Sequence, residues 1–180
     1  MKSLIITLLC SFCLSTTNAQ SYFRQCGIQL LTKQNGLSNN TLTGIYQDKV
    51  GFLWLGTDVG LSRYDGIHFH NYNLIDKEPR ALAHLYETSN NLLWSHIANL
   101  NQIACFDKMR GIYMPLISPT PEVLKDIQDI CVLQDKLYAL TSNVIVELKM
   151  EKNADEIRLT AQPLIDIKTK VLRLYNNEDI

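Results

Sequence analysis

Three observations predict an all-β chain. From Leu37 to Tyr72 apolar and polar residues alternate in short runs separated by turns bearing Gly and Asp. Weaker copies follow at about forty-residue spacing. Trp54 and Trp94 stand 40 residues apart with no gap between them, bringing Tyr46 onto Tyr86 and Leu53 onto Leu93. Together these predict a partial β-propeller of about three to four blades, each of four antiparallel strands, with its ring not closed in this chain.

The first element is an export signal over residues 1–19. Lys2 gives a positive start, Leu4 to Leu14 is an apolar run of 11 residues, and Thr17-Asn18-Ala19 offers a cleavage site before Gln20. A spanning helix needs about 20 apolar residues, so the run reads as a leader. Neither Cys10 nor Cys13 sits behind a lipobox.

Blade 1 is assigned to residues 37–80. Ile45-Tyr46-Gln47 alternates as a half-buried strand, and Asp48-Lys49-Val50-Gly51 supplies a hairpin turn. In such a turn Asp bonds the backbone two residues on and Gly accepts positive φ. Phe52 to Leu55 forms the second strand, with Gly56-Thr57 suited to close approach of a neighbouring blade. Asp58-Val59-Gly60 turns the chain into Leu61-Ser62-Arg63-Tyr64, and Asp65-Gly66 leads to a fourth strand marked by Ile67, Phe69 and Tyr72.

Blade 2 is assigned to residues 81–120, where Phe106-Asp107 matches Tyr64-Asp65 after a two-residue insertion. Blade 3 covers 121–162, with strands at Ile130–Leu133, Leu137–Leu140 and Val144–Leu148, and Tyr138 in the slot of the tryptophans. Pro115, Pro119 and Pro121 suggest a loop before it. Pro121 to Ile130 reads either as a short helix capped by Thr120 or as loop plus strand. Residues 163–180 begin a fourth blade, with Tyr175 in the slot of Tyr46 and Tyr86, and the chain stops at Ile180 between strands. An open fan exposes strand edges, so the expectation is the front end of a longer protein.

Each chemically suggestive residue has a plainer structural reading. Trp54 suits sugar stacking, but a recurring tryptophan reads first as inter-blade packing. Asp48 and Asp65 suit a carboxylate pair, yet both sit where turns favour Asp. His68 and His70 lack the companions of a usual metal site. Asn39-Asn40-Thr41 matches a glycosylation sequon and reads as a turn. No catalytic, cofactor or metal residue is therefore assigned, and ligand-binding residues are not identified.

Of five cysteines, Cys26, Cys105 and Cys131 lie beyond the leader, and they read as buried apolar residues or as one disulfide and one free thiol. Net charge is −1, from 17 Lys+Arg and 18 Asp+Glu. That balance gives no basic footprint for nucleic acid and no polybasic run for lipid. Hydrophobic content of 46% suits a packed array.

Gly36-Leu37-Ser38-Asn39-Asn40, Gln47-Asp48, Gly51-Phe52-Leu53-Trp54-Leu55-Gly56-Thr57, Gly60-Leu61 and Tyr64-Asp65-Gly66 closely resemble the two-component regulator propeller repeat. In the second copy Ser95-His96-Ile97 replaces the Leu-Gly-Thr that follows the tryptophan. The resemblance implies the periplasmic sensor region of a hybrid two-component histidine kinase that detects glycan breakdown products. It implies partners too: an oligosaccharide ligand, further C-terminal propeller, membrane and kinase parts, and a homodimer of the full receptor. Residues 20–36 would supply a strand that closes the ring with a last blade. Family ligand contacts lie on variable loops and cannot be carried over. The alternatives are a surface adhesion or scaffold propeller, a carbohydrate-active propeller enzyme, and the product of a degraded gene.

Overall fold

The computed structural model describes residues 29–73 and 81–166. The export signal, most of the ring-closing segment and residues 167–180 of the fourth-blade assignment lie outside the described residues. By its contacts the chain divides into Met1–Leu31 and Thr32–Ile180, and the architecture below is that of the second unit.

Strands β1 (Leu42–Gln47), β2 (Leu53–Thr57), β3 (Gly60–Tyr64) and β4 (Phe69–Asn73) form an antiparallel sheet in chain order. So do β5 (Leu82–Thr88), β6 (Leu92–Ile97), β7 (Gln102–Asp107) and β8 (Ile112–Tyr113). Then come β9 (Leu116–Ile117), the four-residue helix α1 (Pro121–Leu124), β10 (Ile127–Leu133), β11 (Lys136–Thr141), β12 (Val144–Lys152) and β13 (Ile157–Asp166). The third sheet has the order β10-β11-β12-β13-β9. These sheets are propeller blades, and the first strand of the middle blade, β5, lies between β1 and β10.

The recurring aromatics occupy equivalent register positions. Tyr46 faces Trp54, Tyr86 faces Trp94 and Cys131 faces Tyr138 across the first two strands of successive sheets. Turn chemistry is as the sequence predicts at Gly51, Gly60 and Gly66, whose φ angles are 102°, 139° and 99°. The third blade uses a two-residue hairpin turn in which Gln134 and Asp135 both take positive φ. The two-residue insertion lengthens the turn between β6 and β7.

Two cores lie between the sheets. Trp54 and Leu61 of the first blade meet Leu82, Leu85, Leu93 and Phe106 of the second. On the opposite face of the second blade, Leu92, Trp94, Ile103 and Cys105 meet Ile130, Leu137, Val146 and Leu148. A middle blade is covered on both faces, so every residue of β6 is buried and its sequence does not alternate. Trp54 is 2% exposed, with ring centroids 5.6 Å from Phe106 and 5.9 Å from Tyr72. The packing reading of the tryptophans therefore holds.

Both readings of the proline-rich segment hold in part. Pro121 opens α1, but the Thr120 side chain makes no capping bond and the chain re-enters a strand at Ile127. Before α1 the chain changes blade. Met114 N–H donates to Cys105 of the second blade (2.8 Å), while the Pro115 carbonyl accepts from Ile157 of the third (2.9 Å). Leu116 and Ile117 then pair in parallel with Ile157 and Arg158. This crossing gives the third sheet its fifth strand and covers its outer edge. β13 runs on to Asp166, past residue 162, where the sequence reading ends the third blade. Cys105 and Cys131 are buried free thiols, and burial pushes both thiol pKa values up.

Candidate functional site

The inner strands β1, β5 and β10 border a groove of about 850 Å³ on the axial side of the fan. That is within the range of small-ligand sites. Its rim carries Lys49, Glu87, Ser89 and Asp135, and its wall carries Gly44 and His84.

All three inner strands break register near their starts, between Leu42 and Gly44, between Ala83 and Tyr86, and between Ile127 and Asp129. Counting back from Tyr46, Tyr86 and Cys131, the equivalent residues at this bulge are Gly44, His84 and Asp129. Bulges re-aim side chains, and His84 has a φ of 52°, sparsely populated for a residue with a Cβ. Its Nε2 lies 4.0 Å from Asp129 Oδ1. One blade thus supplies an imidazole and the next a carboxylate. The bare Gly44 is packed closely by the second blade: a Cβ there would stand 3.2 Å from the Leu82 carbonyl oxygen and 3.3 Å from the His84 nitrogen.

Beside this pair, blades meet through backbone carbonyls. The Thr43 hydroxyl donates to the Leu82 carbonyl (2.8 Å), and the lack of a Cβ at Gly56 lets that carbonyl approach. In the second blade His96 stands where Gly56 stood. Its Nε2 lies 2.9 Å from the carbonyl of Ile127, which opens β10 as Leu82 opens β5. Burial pushes the His96 pKa down, opposed by the Ile127 bond and the Asp129 charge and assisted by His84. A neutral His96 donates to Ile127.

A histidine whose folded pKa lies below the unfolded value binds fewer protons folded than unfolded. Stability is then full above the unfolded value and is lost as pH falls through it. Urea midpoints are accordingly expected to fall as pH drops below about 6.5. His96→Gln, which donates but does not titrate, is expected to flatten that fall, and an unchanged slope would remove His96 as its source.

The hairpin end of the fan holds the singled-out carboxylates. Asp48 Oδ1 accepts backbone N–H groups from Val50, Gly51 and Phe52, each at 3.0 Å. Its Oδ2 accepts from Trp54 Nε1 (2.8 Å) and from Lys108 of the second blade (2.9 Å), which also reaches Glu87 (2.8 Å). Burial raises the Asp48 pKa, but these donors outweigh it and hold the carboxyl below its ordinary value. Lys152 of the third blade reaches Asp107 of the second in the same way (2.7 Å). Thr88 takes the place of Asp48 in the second blade, accepting from Trp94 Nε1 (3.2 Å).

Asp65 bonds its own turn, to Ile67 and His68. Asp48 and Asp65 are therefore turn residues, each committed separately. His70 lies 3.7 Å from Asp65, and no three-residue metal-ligating group occurs among the described residues. Sequence reasoning missed His84, His96, Asp129 and Lys108. The forty-residue alignment carried the signal for His84 and His96, which replace glycines of the first copy. No helix among the described residues is long and apolar enough to cross a membrane.

Residues 36–59, the entry to the first blade with β1, β2 and the Asp48 turn, match the family model described as Two component regulator propeller. Among solved structures, the fan is similar to the extracellular domain of a B. thetaiotaomicron protein described as hybrid two component system BT3049. The identity is 23% and the TM-score 0.55, over 67% of this chain and 18% of that one. The extracellular domain of BT4673, described as a one component system from the same organism, matches at 20% identity and TM-score 0.55, over 82% of this chain and 19% of that one. A catalytically inactive virginiamycin B lyase from Staphylococcus aureus, solved with quinupristin, matches at 19% identity and TM-score 0.54, over 75% of this chain and 44% of the lyase. The chain thus spans less than half of each of these structures, and the likeness establishes the fold. No curated protein matches it. Within the repeat, Asp48 and Trp54 join the hairpin to the core, and Gly56 fits the next blade.

Proposed function

We propose that the chain is a ligand-sensing, non-catalytic propeller portion of an extracytoplasmic two-component receptor, and that its ligand occupies the axial groove. The ligand class is an oligosaccharide released from a glycan. The observation that carries this reading is the regulator repeat at residues 36–59, whose first strand forms one wall of the groove. The polar rim suits a hydroxyl-rich ligand, because buried sugar hydroxyls need hydrogen-bond partners. The commitment of Asp48 and Asp65 to their turns supports binding over hydrolysis, which uses two carboxyl groups flanking the scissile bond. Signalling requires that the ligand favour one arrangement of the receptor over another. On this reading the parent receptor sits in the inner membrane, with this portion in the periplasm and the full receptor a dimer.

Isothermal titration of the full chain with a panel of neutral and acidic oligosaccharides tests the reading. Saturable binding weakened by His84→Ala, without release of new reducing ends, is the expected result. A folded chain that binds none of the panel would overturn the ligand reading. Steady release of reducing ends would favour an enzyme instead.

A further inference from the structure

Two turns at the mouth of the groove carry side chains that the fold itself does not use. Asn91 ends the β5–β6 turn and Gln134 opens the β10–β11 turn, and both line the groove. Their φ angles are 61° and 49°, a region sparsely populated by residues with a Cβ. A two-residue hairpin turn ordinarily takes Asn, Asp or Gly where Gln134 stands. Both residues are exposed, and their side-chain amides hydrogen-bond to no described residue. The turns themselves are fastened together. Ser89 of the second blade donates its N–H (2.6 Å) and its hydroxyl to the Asp135 carboxylate of the third.

The charges around this mouth close on one another. Glu87 accepts from Lys108 (2.8 Å), which is shared with the buried Asp48 (2.9 Å). Asp135 is held below the ordinary carboxylate range by the Ser89 hydroxyl and N–H, and then by the charge of Lys49. Lys136, beside the same turn, lies 3.7 Å from Glu147. On the wall, His84 faces the buried Asp129 at 4.0 Å. Lys49, Lys108 and Lys136 thus stand against Asp48, Glu87, Asp135 and Glu147. Carboxylates outnumber lysines, and none of these lysines is left over for an incoming anion.

Building on the reading that the groove holds an oligosaccharide, we infer that this sugar is uncharged, that the Asn91 and Gln134 amides bind its hydroxyls, and that uronic and sulfated sugars are rejected. A sugar hydroxyl both donates and accepts. A primary amide offers two donors and an acceptor, so it can answer either role. The Ser89–Asp135 clamp holds the two amides on adjoining turns before any ligand arrives, which lowers the ordering cost of binding. A uronate carboxylate would leave water with no uncommitted cation to receive it, beside a surplus of carboxylates. Discrimination then comes from an unpaired charge on the wrong sugar, and requires no steric clash.

The test is isothermal titration of the full chain with two matched series, neutral gluco- and galacto-oligosaccharides and their uronic-acid counterparts of equal length. Neutral sugars are expected to bind about tenfold tighter or more. Asn91→Gly and Gln134→Gly each remove an amide from a backbone position that suits glycine, and each should weaken neutral binding about tenfold. Either variant carries the test should the other not fold. Asp135→Asn keeps partners for Ser89 but uncovers Lys49, and should raise the ratio of uronate to neutral affinity several-fold. Uronates that bind as tightly as neutral sugars overturn the uncharged-sugar assignment while leaving the groove as the ligand site. Glycine variants that bind neutral sugars as the unaltered chain does overturn the role of the amides. A folded chain that binds neither series removes the groove as a sugar site, and the uncharged-sugar assignment with it.

Discussion

Gly56→Ala is expected to destabilise the chain by about 3 kcal/mol or more, the upper part of the range for overpacking. A Cβ built at Gly56 would stand 2.0 Å from the Leu82 carbonyl oxygen and 3.1 Å from its carbon. Both atoms are backbone, so no rotamer change relieves the contact. The blades must part, loosening the bond from Thr43 to the same carbonyl and the packing of Leu82 and Trp54 in the first core. Gly51→Ala is the comparison. Its Cβ would meet nothing within 4 Å, but its φ of 102° penalises any side chain by about 1–2 kcal/mol. Urea unfolding measures both variants. A Gly56→Ala loss no larger than that of Gly51→Ala would mean that the approach of the blades does not limit stability.

Trp54→Ala should cost about 3–5 kcal/mol, as large-to-small changes in a core do. The indole is 2% exposed, contacts Phe106 across the blade boundary and donates to Asp48. Trp54→Phe keeps most of the apolar contact and gives up the N–H, so about 1 kcal/mol is expected there. Asp48 stays paired with Lys108 and its own turn in both variants, which limits the penalty to packing and one hydrogen bond. The chain has two tryptophans, so Trp94 fluorescence then reports on the second core alone. A loss below about 1 kcal/mol for Trp54→Ala would contradict its role as the joint between blades.

The turn residues were legible because their chemistry is local. Asp65 and the Oδ1 of Asp48 bond N–H groups within four residues, and Gly51 and Gly66 supply the positive φ of the same turns, a distance that sequence reports directly. Period-two alternation likewise located the strands of the first blade, one face of which packs while Ile45 stays 66% exposed. The pattern weakened in β6, since a strand covered on both faces loses its polar positions. The approach of His84 to the buried Asp129 was not legible, because the two are 45 residues apart and stand on different blades whose first strands break register at matching places.

By itself the sequence determined the repeat, the strands and turns of the first blade and the likeness of residues 36–59 to the regulator propeller repeat, all set by interactions within a hairpin or by spacing. Tertiary structure alone decided which residues join the blades. Lys108 finds Asp48 across 60 residues, Lys152 finds Asp107 across 45, and β9 leaves its own blade for the edge of the next. Such pairings rest on packing between sheets, where many lysines and strand edges are chemically equivalent until the chain has folded.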